Sequence, residues 1–307
     1  YYSKLIDTFP TVKDLAKAKE EKVLKLWQGL GYYSRARNLH ATAKHIHYNL
    51  SGVFPNNYNC LLELKGIGPY TAAAISSICF NEKRAVVDGN VYRILARVFN
   101  IHTAINSHKG VKIFQKLADS LIGDTDPGDY NQGLMDIGAT ICTPKRPKCL
   151  HCPLTKICIA QIKNTINFLP IKIGKTKIKQ RYFNYLFVLS NDEFLMKKRK
   201  GNDIWKNLYE FPLIELNESP TETNININKV IKSIIGNESF KVKKKIYYEH
   251  KLSHQKLNIT INYIKTSSII NKKTYIKVNR MQALKLPVPK PIEKFIQELF
   301  NSLDCKT

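Results

Sequence analysis

A chain of 307 residues is longer than one compact domain usually needs and suits two, and 43% apolar residues can bury a core in each. No run approaches the ~20 consecutive apolar residues of a membrane-spanning helix, so a membrane partner is not expected. The 49 basic against 24 acidic residues give a net charge of +25, which disfavours cationic partners and favours a polyanion, nucleic acid first.

Residue 1 is Tyr and no charged-then-apolar leader follows, so the sequence is expected to begin inside a domain. Residues 1–160 read as helices. Leu15, Val23, Leu24 and Trp27 lie at helical spacing and predict one helix over Val12–Leu30, stopped by Gly29-Leu30-Gly31. Arg35–Leu50 is a second amphipathic helix, ended by Ser51-Gly52 and Pro55. Tyr58–Leu64 is short and breaks at Gly66-Ile67-Gly68-Pro69, and Thr71–Phe80 is a helix of small residues. Val91–Phe99, Val111–Ile122 and Tyr130–Ile141 complete the set.

Residues 161–181 form a basic connector with Pro170, Gly174 and the lysines 163, 172, 175, 177 and 179. Beyond it the pattern turns strand-like over Tyr182–Leu189, Phe194–Lys197, Lys243–Tyr248 and Leu257–Ile264, with helices over Val230–Ile235 and Ile292–Leu303. The expected division is therefore a mainly α domain over 1–160, a linker over 161–181 and an α+β domain over 182–307. The first 160 residues carry 21 basic and 12 acidic residues and the remainder 28 and 12, so the charge excess is larger in the second half.

Four of the seven cysteines fall within 17 residues in the spacing Cys142-x6-Cys149-x2-Cys152-x5-Cys158. An odd total and tight clustering argue against a disulfide framework. Four thiolates this close repel one another unless a metal offsets their charge. An iron–sulfur cluster is the usual solution for four cysteines, and zinc is the competitor. Leu64-Lys65-Gly66-Ile67-Gly68-Pro69-Tyr70-Thr71 lies between two helices. Its glycines allow a turn that presents backbone N–H groups at a helix start, where a phosphate binds. Asp88-Gly89-Asn90 before a helix is good N-cap grammar, and taken alone the pattern makes Asp88 a cap.

The 6-2-5 cysteine spacing after Asp136-Ile137-Gly138-Ala139, the hairpin and its distance before Val87-Asp88-Gly89-Asn90-Val91 together resemble the endonuclease III superfamily of helix–hairpin–helix DNA glycosylases. The resemblance implies a [4Fe–4S] cluster held by Cys142, Cys149, Cys152 and Cys158. It also implies phosphate contacts from Lys65, Gly66, Gly68 and Tyr70 in the hairpin, and from Lys145, Arg146 and Lys148 in the cysteine loop. Breaking an N-glycosidic bond builds positive charge on the sugar, and a fixed Asp88, supported by Asn90, would stabilise it. The lyase branch of the superfamily carries a lysine where this chain has Tyr70, and a tyrosine cannot form a Schiff base. Tyr70 instead resembles the active-site tyrosine of the MutY-type, adenine-removing branch.

Two further stretches resemble that branch. Trp27–Leu39 is similar to the segment that enters the duplex beside the lesion, which implies that Leu30 and Tyr32 wedge against 8-oxoguanine and its neighbours. Gln132, in Tyr130-Asn131-Gln132, falls where the branch lines the adenine pocket and would hydrogen-bond a flipped base. Trp205-Lys206-Asn207-Leu208-Tyr209-Glu210-Phe211-Pro212 resembles a Nudix-like strand and loop. Glu210, Glu215, Glu218 and Glu222 are too scattered for a Nudix magnesium site. Leu252-Ser253-His254 matches the position of a Phe-Ser-His element, with Leu in place of Phe, which implies base recognition by Ser253 and His254. Leu286-Pro287-Val288-Pro289 is family-like without an assigned role.

The expected protein is a base-excision repair enzyme. It would hydrolyse the glycosidic bond of adenine mispaired with 8-oxoguanine or guanine in double-stranded DNA, without strand cleavage, as a cytoplasmic, nucleoid-associated monomer. The branch takes its general-acid Glu from a segment ahead of a Gln-Gln-Thr stretch that Tyr1–Tyr33 does not repeat, and Glu20 and Glu21 are poor substitutes. The isolated 307 residues are accordingly expected to be inactive. The alternatives are an endonuclease III-like glycosylase/lyase and a non-catalytic lesion-binding protein.

Overall fold

The structure is a computed structural model that describes residues 1–174, 177–216, 227–235, 239–267, 269 and 274–304. Lys175, Glu218 and Glu222, singled out above, lie outside the described residues. In chain order the helices are α1 (Tyr2–Thr8), α2 (Val12–Lys17), α3 (Glu20–Leu26), α4 (Tyr33–Asn49), α5 (Tyr58–Leu62), α6 (Pro69–Phe80), α7 (Gly89–Val98), α8 (His108–Leu121), α9 (Pro127–Thr140) and α10 (Ile159–Ile162). Strands β1 (Lys179–Ser190), β2 (Glu193–Lys198), β3 (Tyr209–Glu210) and β4 (Leu213–Leu216) follow, then α11 (Ile227–Ile235), β5 (Phe240–Lys251), β6 (Gln255–Thr266), β7 (Ile276–Val278), α12 (Arg280–Lys285) and α13 (Lys290–Asp304). No described helix is long and apolar enough to cross a membrane.

The chain forms two compact units, one of Tyr1–Lys44 with Thr176–Thr307 and the other of His45–Lys175. This differs from the contiguous division at 160 and 182 expected from composition. The reason is packing. Phe9, Val23, Leu24, Tyr33 and Ala36 from the first helices share one core with Phe183, Tyr185 and Phe187 of β1, Ile259 and Ile261 of β6, and Phe295 of α13. Each fully buried side chain of this size contributes about 1.5–3 kcal/mol. A periodic apolar face says that a helix buries something, not what it buries against.

The sheet of the first unit is mixed, in the order β3-β2-β1-β6-β5. β1 runs parallel to β6 from Lys179↔Gln255 to Leu189↔Lys265, and antiparallel to β4 from Tyr182↔Leu216 to Tyr185↔Leu213. One face carries the aromatic core. The other buries Leu186, Val188, Leu195 and Ile264 under Ile231, Ile234 and Ile235 of α11.

The helix expected over Val12–Leu30 is two helices. Ala18 and Lys19 adopt extended backbone between them. No Gly or Pro marks the break. The Ala18 carbonyl faces the buried His40 ring nitrogen at 3.1 Å instead of continuing a helical ladder, so a tertiary contact overrides local propensity.

In the second unit α7 is the central element. Val91, Leu95 and Ala96 of α7 share a core with Phe114 and Ala118 of α8, and with Ala160 and Leu169. The small-residue face of α6 buries Ala72, Ala73, Ser76 and Ser77, and both α6 and α7 pack against α9.

Candidate functional site

Asp88 is the N-cap of α7 and half-buried. Its Oδ1 accepts from the backbone N–H of Asn90 at 2.8 Å and of Val91 at 2.7 Å, and its Oδ2 accepts from the Asn90 amide at 2.9 Å. Capping and orientation are thus one structure: the bonds that begin the helix also fix the carboxylate plane at its positive end.

Asn90 is itself held. Its Oδ1 accepts from Arg93 at 2.8 Å, and the Arg93 guanidinium also donates to the Gly138 carbonyl at 2.6 Å and the Cys142 carbonyl at 2.6 Å. Burial lowers the Arg93 pKa, although the neighbouring Cys142 and Asp88 favour its charge. Gly138 permits this closeness, because a Cβ there would lie 2.5 Å from the Asn90 Cβ. One turn on, the buried Arg97 donates to the Thr143 carbonyl at 2.9 Å and lies 3.3 Å from the Cys142 sulfur. Arg93 and Arg97 went unassigned in the sequence. Their signal is two basic residues four apart on a helix that is otherwise largely apolar.

The four cysteines of the 6-2-5 motif are free thiols lining one cavity, walled by Ile94, Ile137, Ile141 and Leu154 and closed by Arg97. Burial first, and then the proximity of Cys142, Cys158 and Cys152, push the Cys149 thiol upward. Burial does the same to Cys152. Four soft sulfur donors lining one apolar pocket, with a cation against one of them, are the donor set an iron–sulfur cluster takes, although their side chains are not gathered into a metal-holding group. Among the described residues, no three His, Cys, Asp or Glu side chains form a group that could hold a metal ion. Lys145, Arg146 and Lys148 are exposed on the loop between the first two cysteines.

In the hairpin, Gly66 takes φ +84°, a conformation that L side chains adopt only with strain. Lys65, Gly66, Gly68 and Tyr70 are all exposed. No side chain caps α6, whose N-cap is Gly68 and which begins with Pro69, so its first N–H groups are open to an anion. Tyr70 is 45% exposed, and its hydroxyl lies 3.8 Å from the Met135 sulfur on α9 rather than against Asp88. Gln132 is exposed on the same helix and donates to Asp136 at 2.9 Å. Its neighbour Asn131 is fully buried and joins Ser77, the Arg84 carbonyl and the Val86 N–H. Asn131 therefore ties α9 to α6 and to the segment before α7, whereas Gln132 stays at the surface of α9.

The first unit has its own cleft of about 480 Å³, lined by Leu30, Tyr32, Arg37, Trp205, Ser253 and His254 among others. This falls within the size range of ligand pockets. The Tyr32 hydroxyl is hydrogen-bonded to the Ser253 hydroxyl. Tyr32 holds a left-handed backbone at φ +46°, unusual for a bulky residue, and stays 61% exposed. Flanking bonds fix it: the Trp27 indole donates to the Gly31 carbonyl at 3.1 Å, and the Arg35 guanidinium sits 5.5 Å from both the Trp27 and the Tyr32 rings. Leu252, which replaces the family's Phe, packs toward the core, while Ser253 and His254 are exposed.

The Trp205 wall of the cleft is held by ions. Asp203 accepts from Arg181 at 2.6 Å and from Arg199 at 2.7 Å. Burial works against its charge, yet the two arginines outweigh it and hold the carboxyl well below the usual carboxylate range. Glu215 accepts from Arg181 at 2.7 Å. Buried Glu210 accepts from Arg199 and from Tyr185, both at 3.0 Å. Both described Nudix-region glutamates thus serve arginines. Glu20 and Glu21 likewise tie α3 to Asn207, Tyr209 and Lys198. The unassigned Leu286–Pro289 stretch docks α3, accepting from Lys25 at the Leu286 carbonyl and donating from the Val288 N–H to Gln28.

Residues 1–119 match the HhH-GPD superfamily of base excision DNA repair proteins, and residues 184–298 match the NUDIX domain. Over 312 residues the chain is 35% identical to the adenine DNA glycosylase of Buchnera aphidicola subsp. Acyrthosiphon pisum, covering 98% of this chain and 86% of that protein. It is 37% identical to that of Buchnera aphidicola subsp. Baizongia pistaciae, covering 98% and 85%. The adenine DNA glycosylase of Homo sapiens is 44% identical over 162 residues, which are 52% of this chain and 30% of that protein.

Proposed function

We propose, from the premise that this chain belongs to the adenine DNA glycosylases, that the full-length protein hydrolyses the N-glycosidic bond of adenine mispaired with 8-oxoguanine or guanine in duplex DNA. The observation that carries the reading is the Asp88 carboxylate, locked by three hydrogen bonds at the start of α7. As the base departs, positive charge develops on the sugar. A negative group already oriented toward that charge needs no reorganisation when it appears. Asn90 and Arg93 act behind Asp88 as positioning residues. Hairpin N–H groups, Lys65 and the cysteine-loop cations bind phosphates on either side.

Tyr70 has no amine to form a Schiff base, so water adds to the sugar carbon as adenine leaves, and the strand stays intact. Gln132 contacts the extruded adenine. In the other unit Tyr32, Ser253 and His254 read the opposite base, and Leu30 fills the space beside it. Cys142, Cys149, Cys152 and Cys158 would hold a [4Fe–4S] cluster. Bound there, it would fold the loop that carries Lys145, Arg146 and Lys148.

Single-turnover incubation of the full-length protein with a duplex bearing one adenine:8-oxoguanine pair tests the reading. Release of free adenine, with no protein–DNA adduct trapped by borohydride, is expected. Strand cleavage with a trapped adduct would place the protein in the lyase branch instead.

A further inference from the structure

β5 is an edge of its sheet: it pairs with β6 on one side and with no described strand on the other. Lys241, Lys243, Lys244 and Lys245 crowd its first half, and all four are exposed. Lys265 of β6 lies opposite Lys241 and is exposed as well. Alternation along the consecutive Lys243, Lys244 and Lys245 puts basic side chains on both faces of the edge, and a bulge interrupts the pairing register between Val242 and Lys244.

The ion pairs of β5 lie at its other end, where Glu249 is shared by Lys251 and Lys256. Among the described residues no carboxylate meets the five lysines. Like charges directly opposite one another, as Lys241 and Lys265 are, destabilise a strand pair. A bulge or an occasional charge is enough to keep a sheet edge from pairing with another chain. Five lysines at one end, with no carboxylate against them among the described residues, exceed that need, and a polyanion removes their mutual repulsion.

The strand also leads somewhere. Past Lys251 it turns through Ser253 and His254, which line the cleft. The ten residue steps from Lys241 to Lys251 rise about 33 Å, the length of about ten base pairs at ~3.4 Å each.

We propose that the Lys241–Lys245 end of β5, with Lys265, is a phosphate-backbone contact for duplex DNA, reaching phosphates within about one helical turn of the base read at Ser253. It adds affinity without adding sequence preference. The inference rests on the reading of the protein as a duplex-DNA glycosylase.

The test compares two charge-matched triple variants of the full-length protein. One carries Lys243→Gln, Lys244→Gln and Lys245→Gln; the other carries Lys17→Gln, Lys232→Gln and Lys285→Gln, at positions that are exposed and off the strip. Affinity for a duplex of about 30 base pairs with one adenine:8-oxoguanine pair is followed from ~50 to ~200 mM salt. The slope of log affinity against log salt should become shallower by about 0.9 per lost contact, up to ~2.7 for the strip triple, and remain near wild type for the other. The difference should vanish on a duplex trimmed to about five base pairs each side. Equal slope changes in both triples would overturn the proposal as a general charge effect. An unchanged slope in the strip triple would overturn it, and self-association of that triple would then identify the lysines as an edge guard. Wild-type protein that ignores duplex DNA would sink the underlying functional reading as well.

Discussion

The two candidate sites are built over very different spans of chain. At the start of α7, Asp88, Asn90 and Arg93 come from six consecutive residues, and α9 adds Gly138. In the cleft, the Tyr32–Ser253 bond joins residues 221 apart. The first site is nearly all backbone grammar, with a cap, a turn and a close glycine. The second exists only once the first helices have docked on the sheet. Chemistry assigned to a local constellation and recognition assigned to a long-range one should fail in different ways when each is damaged.

The largest effect is expected at Asp88. Asp88→Asn keeps the N-cap but removes the negative charge, so single-turnover adenine excision should fall by on the order of 10²–10⁴-fold with little change in thermal midpoint. Asp88→Ala should lose the cap as well, at about 1 kcal/mol. An Asn variant that excises adenine at the wild-type rate would mean the residue is only a cap.

Arg93→Met comes next. It orphans the Gly138 and Cys142 carbonyls and frees Asn90, so denaturant unfolding should show a loss of about 2–4 kcal/mol. Excision should fall even in protein that remains folded. A variant with wild-type stability would show that these bonds are dispensable.

Ser253→Ala should act on selectivity. The preference for adenine opposite 8-oxoguanine over adenine opposite guanine should drop about tenfold, the value of one hydrogen bond at ~1.4 kcal/mol.

The smallest effect is an acid one. The Asp203 carboxyl is depressed in the folded state. Its stabilisation is therefore fully present above the unfolded value near ~3.9 and is lost as pH falls through the lower folded value. The stability gap between wild type and Asp203→Asn should be constant above about pH 5 and close below pH ~4. A gap that widens with acid would reverse the assigned sign.

Legibility in the sequence follows the same division. The cysteine spacing, the Gly66–Gly68 turn and the Asp88 cap all act within a few residues, and each motif was visible as text. Arg93 and Arg97 were not, because a basic residue on a helix usually faces solvent, and only the fold shows carbonyls and a sulfur waiting for them. The break at Ala18 was hidden for a related reason: its cause, His40, is 22 residues away. The grouping of Tyr1–Lys44 with the sheet was hidden because Phe9, Val23 and Leu24 advertise burial without naming Phe183 or Phe295 as their partners. Trp205-to-Pro212 was readable as a Nudix-like stretch, but the Arg181–Asp203–Arg199 bridge behind it joins separate segments with no shared motif.

Division of labour is tested most directly by the ratio of excision rates on adenine:8-oxoguanine and adenine:guanine duplexes, measured for wild type, Asp88→Asn and Ser253→Ala. Asp88→Asn should slow both substrates alike and leave the ratio unchanged, while Ser253→Ala should shrink the ratio with only a modest loss of rate on adenine:guanine. A ratio that collapses in Asp88→Asn, or one untouched in Ser253→Ala, would contradict the account.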